Sequence, residues 1–154
     1  MKYLLILILI LSFMCCTPPN KVLTNFKSDG CSMFPDRSPN GEKDWAECCF
    51  EHDILYWQGG SKRDRFVADY LFRECVLERT ADPHQAEIMF RAVRIGGSPY
   101  FPTWYRWGYG WNYLREYEPL SEEEQNKVDE KMKIYYQNQD DSKKQAESIW
   151  IKSD

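Results

Sequence analysis

Cys48-Cys49-Phe50-Glu51-His52-Asp53-Ile54-Leu55-Tyr56 decides the reading of this chain. On a helix, residues three, four and seven apart share a face. Around His52 that rule collects Trp45, Cys48, Cys49, Leu55 and Tyr56. His52 therefore falls on a buried stripe, beside cysteines that can tie the helix down. Asp53 follows about 100° around the helix and can border the same cavity. A histidine on such a face can equally be a hydrogen-bonded core residue with no chemistry. These residues alone leave both readings open.

The flanks extend the pattern. Asp44 is a good N-cap, with Glu47 three residues on, and Gly59-Gly60 stops the helix after about Trp57. Ser61 with Asp64 opens a second helix that runs to roughly Arg79. Around Asp69, helical spacing collects Phe66, Phe72 and Val76. A carboxylate on an apolar stripe needs a partner. His52 is one candidate; Arg65 and Arg73, four residues away on either side, are the others. Two facing helices that present His52 and Asp69 make a general base with its orienting group. Asp53 and the Asp29-Gly30 loop offer hard oxygen ligands, which suit calcium. Neutral His52 would take a proton from water, while the cation holds the substrate oxygen that becomes negative in the transition state. Such a site hydrolyses an ester without a nucleophilic serine.

Further out, Asp82 with Pro83 opens a third helix that ends at Gly96-Gly97. His84, in its first turn, reads as a surface residue. The loop from Lys27 to Gly41 is rich in turn residues. From Ser98 to Pro119 the composition becomes aromatic, with Trp104, Tyr105, Trp107, Tyr109, Trp111, Tyr113 and Tyr117. These rings can form an interfacial surface, Trp104 and Trp107 included, or can simply cover a small helical core. Ser121 and Glu124 resemble a capping box that starts a polar, partly exposed helix, either solvated or partner-binding.

Lys2 and the uncharged run Tyr3 to Met14 open the chain. Twelve helical residues span about 18 Å, too short for a hydrocarbon core of roughly 30 Å. The length suits a signal peptide and predicts export. Cys15 and Cys16 end the run and resemble a bacterial lipoprotein signal, so an N-terminal lipid anchor at one of them competes with simple cleavage. The other four cysteines, Cys31, Cys48, Cys49 and Cys75, are an even set in an exported domain and predict two disulfides. Zinc is the competing reading, but adjacent Cys48 and Cys49 lack the usual ligand gap. Hydrophobic residues at 43% are enough for a core, and a formal charge of −4 argues against nonspecific nucleic-acid binding.

Cys48-Cys49-x-x-His52-Asp53-x-x-Tyr56 resembles the active-site helix of the secreted phospholipase A2 superfamily. Asp69, six residues before Cys75, matches the spacing of that family's orienting aspartate. Leu55 and Ala68 stand where the animal enzymes carry the two halves of one disulfide, so both are absent together. The loop Asp29-Gly30-Cys31, Pro35-Asp36, Pro39, Gly41 is similar to the short bacterial and fungal members, as is Ala92-Val93-Arg94-Ile95-x-Gly97. The resemblance implies an all-α, disulfide-linked domain with two facing antiparallel helices. It implies Cys31–Cys49 and Cys48–Cys75 bonds. It gives His52 and Asp69 as the catalytic pair, Asp29, Gly30 and Asp53 as calcium ligands, and Tyr56 as a site-lining residue. The organisation expected is a leader over 1–16, the phospholipase A2-like domain over 17–97, an aromatic segment over 98–120 and a charged helix or tail over 121–154. The function implied is calcium-dependent cleavage of the sn-2 ester of glycerophospholipids at a membrane surface, by a secreted or envelope-associated protein. The alternative is a noncatalytic envelope lipoprotein of the same fold that binds lipid or protein.

Overall fold

The computed structural model describes residues 21–151, with side chains described through 143; the expected leader and its two cysteines lie outside these residues. Among them are four helices and no strand: α1 (Ala46–Gln58), α2 (Lys62–Thr80), α3 (Pro83–Gly96) and α4 (Glu122–Ile151). None of the helices is long and apolar enough to cross a membrane.

Helix α1 starts one residue later than the sequence predicts. Trp45 is its N-cap and makes no side-chain cap bond. The Asp44 carboxylate instead accepts from the Ala46 N–H at 2.9 Å. Trp45 is held by its burial in the core and by its indole N–H on the Pro35 carbonyl, 2.7 Å away. The capping box of Ser61 and Asp64 opens α2 as expected, and Asp82 with Pro83 opens α3.

The contacts Cys48–Cys75, His52–Asp69 and Tyr56–Arg65 step along α1 and α2 in opposite senses, so the two helices run antiparallel. Cys31–Cys49 ties the N-terminal loop to α1, and Cys48–Cys75 ties α1 to α2. Cross-links of this kind restrict the unfolded chain and offset the small size of the core. Around them pack Trp45, Phe72, Val76, Ala86 and Met89.

The aromatic segment has a specific structural job. The last carbonyls of a helix lack intrahelical partners. Here the N–H groups of Gly108 and Gly110 reach the carbonyls of Tyr56 and Trp57 at 2.6 and 3.1 Å. The Trp111 indole donates to the Gln58 carbonyl at 2.7 Å, and the Trp107 indole to Gly60 at 2.8 Å. Trp107 and Trp111 are buried, whereas Trp104 is exposed. The core-covering reading therefore holds for Trp107 and Trp111, and Trp107 does not belong to a surface patch with Trp104.

Helix α4 starts with a reciprocal box: the Ser121 N–H donates to Glu124 at 3.0 Å and the Glu124 N–H to Ser121 Oγ at 3.3 Å. Val128 packs with Leu23, Phe26, Trp57 and Trp111, and Tyr135 lies edge-on to Phe26. Beyond Tyr136, residues 137–143 are exposed. Buried Arg115 fastens the base of the helix, pairing with both Glu124 oxygens and lying over Trp111.

Candidate active site

His52 and Asp69 meet where α1 faces α2. The His52 Nε2–H donates to Asp69 Oδ1 at 2.9 Å. An ionised carboxylate only accepts, so this bond places the ring proton on Nε2 and leaves the lone pair on Nδ1. The imidazole packs between the rings of Tyr56 and Phe72, 4.2 and 4.7 Å away. These contacts fix the ring's plane as well as its tautomer.

Asp69 is wholly buried and fully used. Oδ1 also accepts from the Tyr56 hydroxyl at 2.7 Å. Oδ2 pairs with Arg94 and lies 3.8 Å from the Arg65 Nε. Burial pushes the carboxyl up, but the bonds from His52, Tyr56 and Arg94 outweigh it and hold the group below the usual carboxylate range. Of the partners the sequence offers, His52 and Arg65 both come to Asp69. Arg73 instead pairs with Glu74 and Glu87. Phe66, expected on the buried stripe, is exposed and lies beneath the Arg94 guanidinium.

Arg65 joins the pair to the rest of the fold. Its Nε donates to the Tyr56 hydroxyl at 3.0 Å and its Nη1 to the Tyr117 hydroxyl at 2.7 Å. Its Nη2 reaches the carbonyls of Val93 and Arg94, at the open end of α3. Burial and the neighbouring Asp69 charge raise the Tyr56 hydroxyl well above its ordinary range, so it stays protonated and can keep donating. Gly97 makes room for that ring: a Cβ there would lie 2.4 Å from a Tyr56 ring carbon.

Asp53 is buried at the other side of His52, and its Oδ2 accepts from the Ser28 hydroxyl at 2.6 Å. Burial, with some help from Asp29 and Asp36, pushes its carboxyl up to about 7, against the pull of Ser28. Asp29 accepts from Ser32 Oγ at 2.8 Å and from the Trp104 indole at 3.1 Å. Gly30 holds φ at +73°, and a Cβ there would lie 2.6 Å from an Asp36 oxygen. That oxygen accepts from the Cys31 N–H at 2.9 Å. The loop is thus built around Asp36, which folds it against α1.

Among the described residues, the compact group of metal-ligating atoms is Cys31, Asp36 and Cys49. Its two sulfurs form a disulfide, so neither is a thiolate ligand. Asp29 and Asp36 help to raise the Asp53 carboxyl, but the three side chains do not close into one such group.

An apolar cavity of about 150 Å³ adjoins the pair, with His52, Asp53, Tyr56 and Gly30 on its wall. Phe72, Met89, Val93 and Tyr105 line it further, and Met33 and Phe34 bring exposed apolar surface to its edge. The arrangement supplies a positioned imidazole base, a buried carboxylate beside it and an apolar slot. Arg94 and Tyr117 are the members of the network that periodicity misses. A buried Asp69 demands more than one donor, but that demand does not by itself single out Arg94. Nothing local signals Tyr117.

Comparison with protein-family models, with curated proteins and with solved structures finds no match.

Proposed function

We propose that the chain is a calcium-dependent, phospholipase A2-like hydrolase of the sn-2 ester of glycerophospholipids. The observation that carries the reading is the buried His52–Asp69 pair opening on an apolar cavity, with Asp53 and the Asp29-Gly30 loop on its other side. Asp69 holds His52 in orientation and tautomer. The His52 Nδ1 takes a proton from water as the water oxygen adds to the ester carbonyl. The same proton then passes to the leaving glyceryl oxygen as its bond to carbon breaks, which releases a fatty acid and a lysophospholipid. The apolar cavity takes up part of an acyl chain.

The residues fit a hard cation. Among the described residues, Asp53 is a buried carboxylate without a basic side chain among its hydrogen-bond or ion-pair partners, and it feels Asp29 and Asp36. The side chains of Asp29 and Asp53 with the Gly30 carbonyl would offer a cation only oxygen ligands, as calcium prefers. A bound calcium supplies positive charge where the carbonyl oxygen becomes negative. By the same reading the protein acts outside the cytoplasm, secreted or held to the envelope through Cys15 or Cys16, and meets its phospholipid at a membrane surface.

A noncatalytic lipid- or protein-binding role is the second reading. It is favoured by Asp29, whose two oxygens already hold Ser32 and Trp104. The deciding experiment is fatty-acid release from mixed phospholipid vesicles by the oxidised protein, with calcium, with chelator, and with His52→Gln. Release that requires both calcium and His52 is the expected result. No release by folded, oxidised protein would refute the hydrolase reading and leave the binding one.

A further inference from the structure

Trp104 is out of place for a tryptophan. It is 67% exposed, yet its indole N–H reaches across 75 positions of sequence to Asp29 Oδ2, at 3.1 Å. Its ring meets Tyr105 edge-on at 5.1 Å, and Tyr105 lines the cavity. A few residues on, the same segment is firmly anchored by Trp107 on Gly60 and by Tyr109, whose hydroxyl donates to the Lys27 carbonyl at 3.0 Å. The segment therefore carries Trp104 to the lip of the loop whether or not the indole bond forms. The Asp29 carboxylate has its other oxygen on Ser32.

We propose that Trp104 is a latch on this loop: its indole holds Asp29 when no cation is bound and leaves it when calcium binds. The proposal rests on the cation reading given above. An N–H aimed at a carboxylate oxygen places positive charge where a cation would sit, and it uses a lone pair that a cation would use. Because most of the indole is already in water, its release exposes little further apolar surface. Calcium must displace it, so removing the N–H favours the cation. The loss of one exposed, charge-assisted bond is worth about a three- to tenfold gain in affinity.

The test compares the oxidised wild type with Trp104→Phe, which keeps a ring against Tyr105 and lacks the N–H. Calcium chloride is titrated in by calorimetry. In parallel, the wild-type Trp104 indole N–H signal, identified by its absence in the variant, is followed by NMR. The expected result is three- to tenfold tighter calcium binding by Trp104→Phe, with an upfield shift of the wild-type signal as the bond is released. Calcium binding by wild type that Trp104→Phe leaves equal or weakens would overturn the latch and spare the cation site. So would an indole signal that does not move at saturation. No calcium binding by folded wild type would overturn both.

Discussion

Asp69→Asn is the substitution that most directly tests how the site is built. Asp69 has no exposed surface and receives His52, Tyr56 and Arg94, with Arg65 3.8 Å away. Asparagine keeps the shape but loses the charge, and its amide presents an N–H to a partner that also donates. The Arg65 guanidinium, which is buried, is then left without its counter-charge. Removing one partner of a buried ion pair costs about 3–5 kcal/mol. The comparison is His52→Gln, which loses one bond and keeps an amide able to donate, at about 1 kcal/mol. The assay is urea unfolding at neutral pH with the disulfides intact, reading the midpoint at constant slope. Both variants are expected to stop fatty-acid release, but only Asp69→Asn to unfold at a much lower urea concentration. An Asp69→Asn protein within about 1 kcal/mol of wild type would refute the argument that Asp69 neutralises the buried Arg65 guanidinium.

Other outcomes follow from particular contacts. Trp107→Ala removes a buried indole that meets the Tyr56 ring edge-on at 5.0 Å and should cost about 3–5 kcal/mol in the same assay. Trp104→Ala should leave the unfolding midpoint nearly unchanged while weakening liposome binding; equal binding would show that the exposed indole does not dock. Glu124 is held down to about 2, chiefly by Arg115 against the opposing effect of burial. A carboxyl with a depressed folded pKa stabilises the fold above its unfolded value and stops doing so as pH falls through the folded one. Stability should therefore drop between pH 4.5 and about 2, by less in Glu124→Gln, which circular dichroism in an acid titration can read. Gly97→Ala should displace the Tyr56 ring and weaken the Tyr56–Asp69 bond, seen as lost activity and a lower melting temperature; wild-type values for both would show that the ring moves freely.

What was legible in the sequence was local or periodic. Helical spacing put His52 with Cys48, Cys49 and Tyr56, and capping chemistry at Ser61, Asp82 and Ser121 located three helix starts. The start of α1 lies one residue beyond the better intrinsic cap, Asp44, because tertiary burial of Trp45 overrides it. Phe66 lies outside the buried stripe because periodicity assigns a stripe but not its width, and the stripe around Asp69 narrows where Arg65 enters the core. The long-range partners, the donors Arg94 and Trp104 and the acceptor Tyr117, are held by tertiary packing and leave no periodic trace.

The aromatic segment belongs to the site physically, whatever its separation in sequence. It supplies the donors that the last carbonyls of α1 lack, and α1 carries His52, Asp53 and Tyr56. Through Trp111 it packs against the buried Trp57, together with Leu23, Phe26 and Val128. Through Tyr117 it holds Arg65, and through Arg65 it reaches both Tyr56 and the open end of α3. Truncation after Gly97 would therefore do more than remove a tail. It would leave helix-end carbonyls and the Arg65 guanidinium short of partners, each worth about 1–3 kcal/mol when buried and unsatisfied. A protein ending at Gly97 should consequently lose cooperative unfolding even with both disulfides closed. A truncated chain that unfolds as sharply as the full one would mean that the helices and their cross-links hold the site unaided.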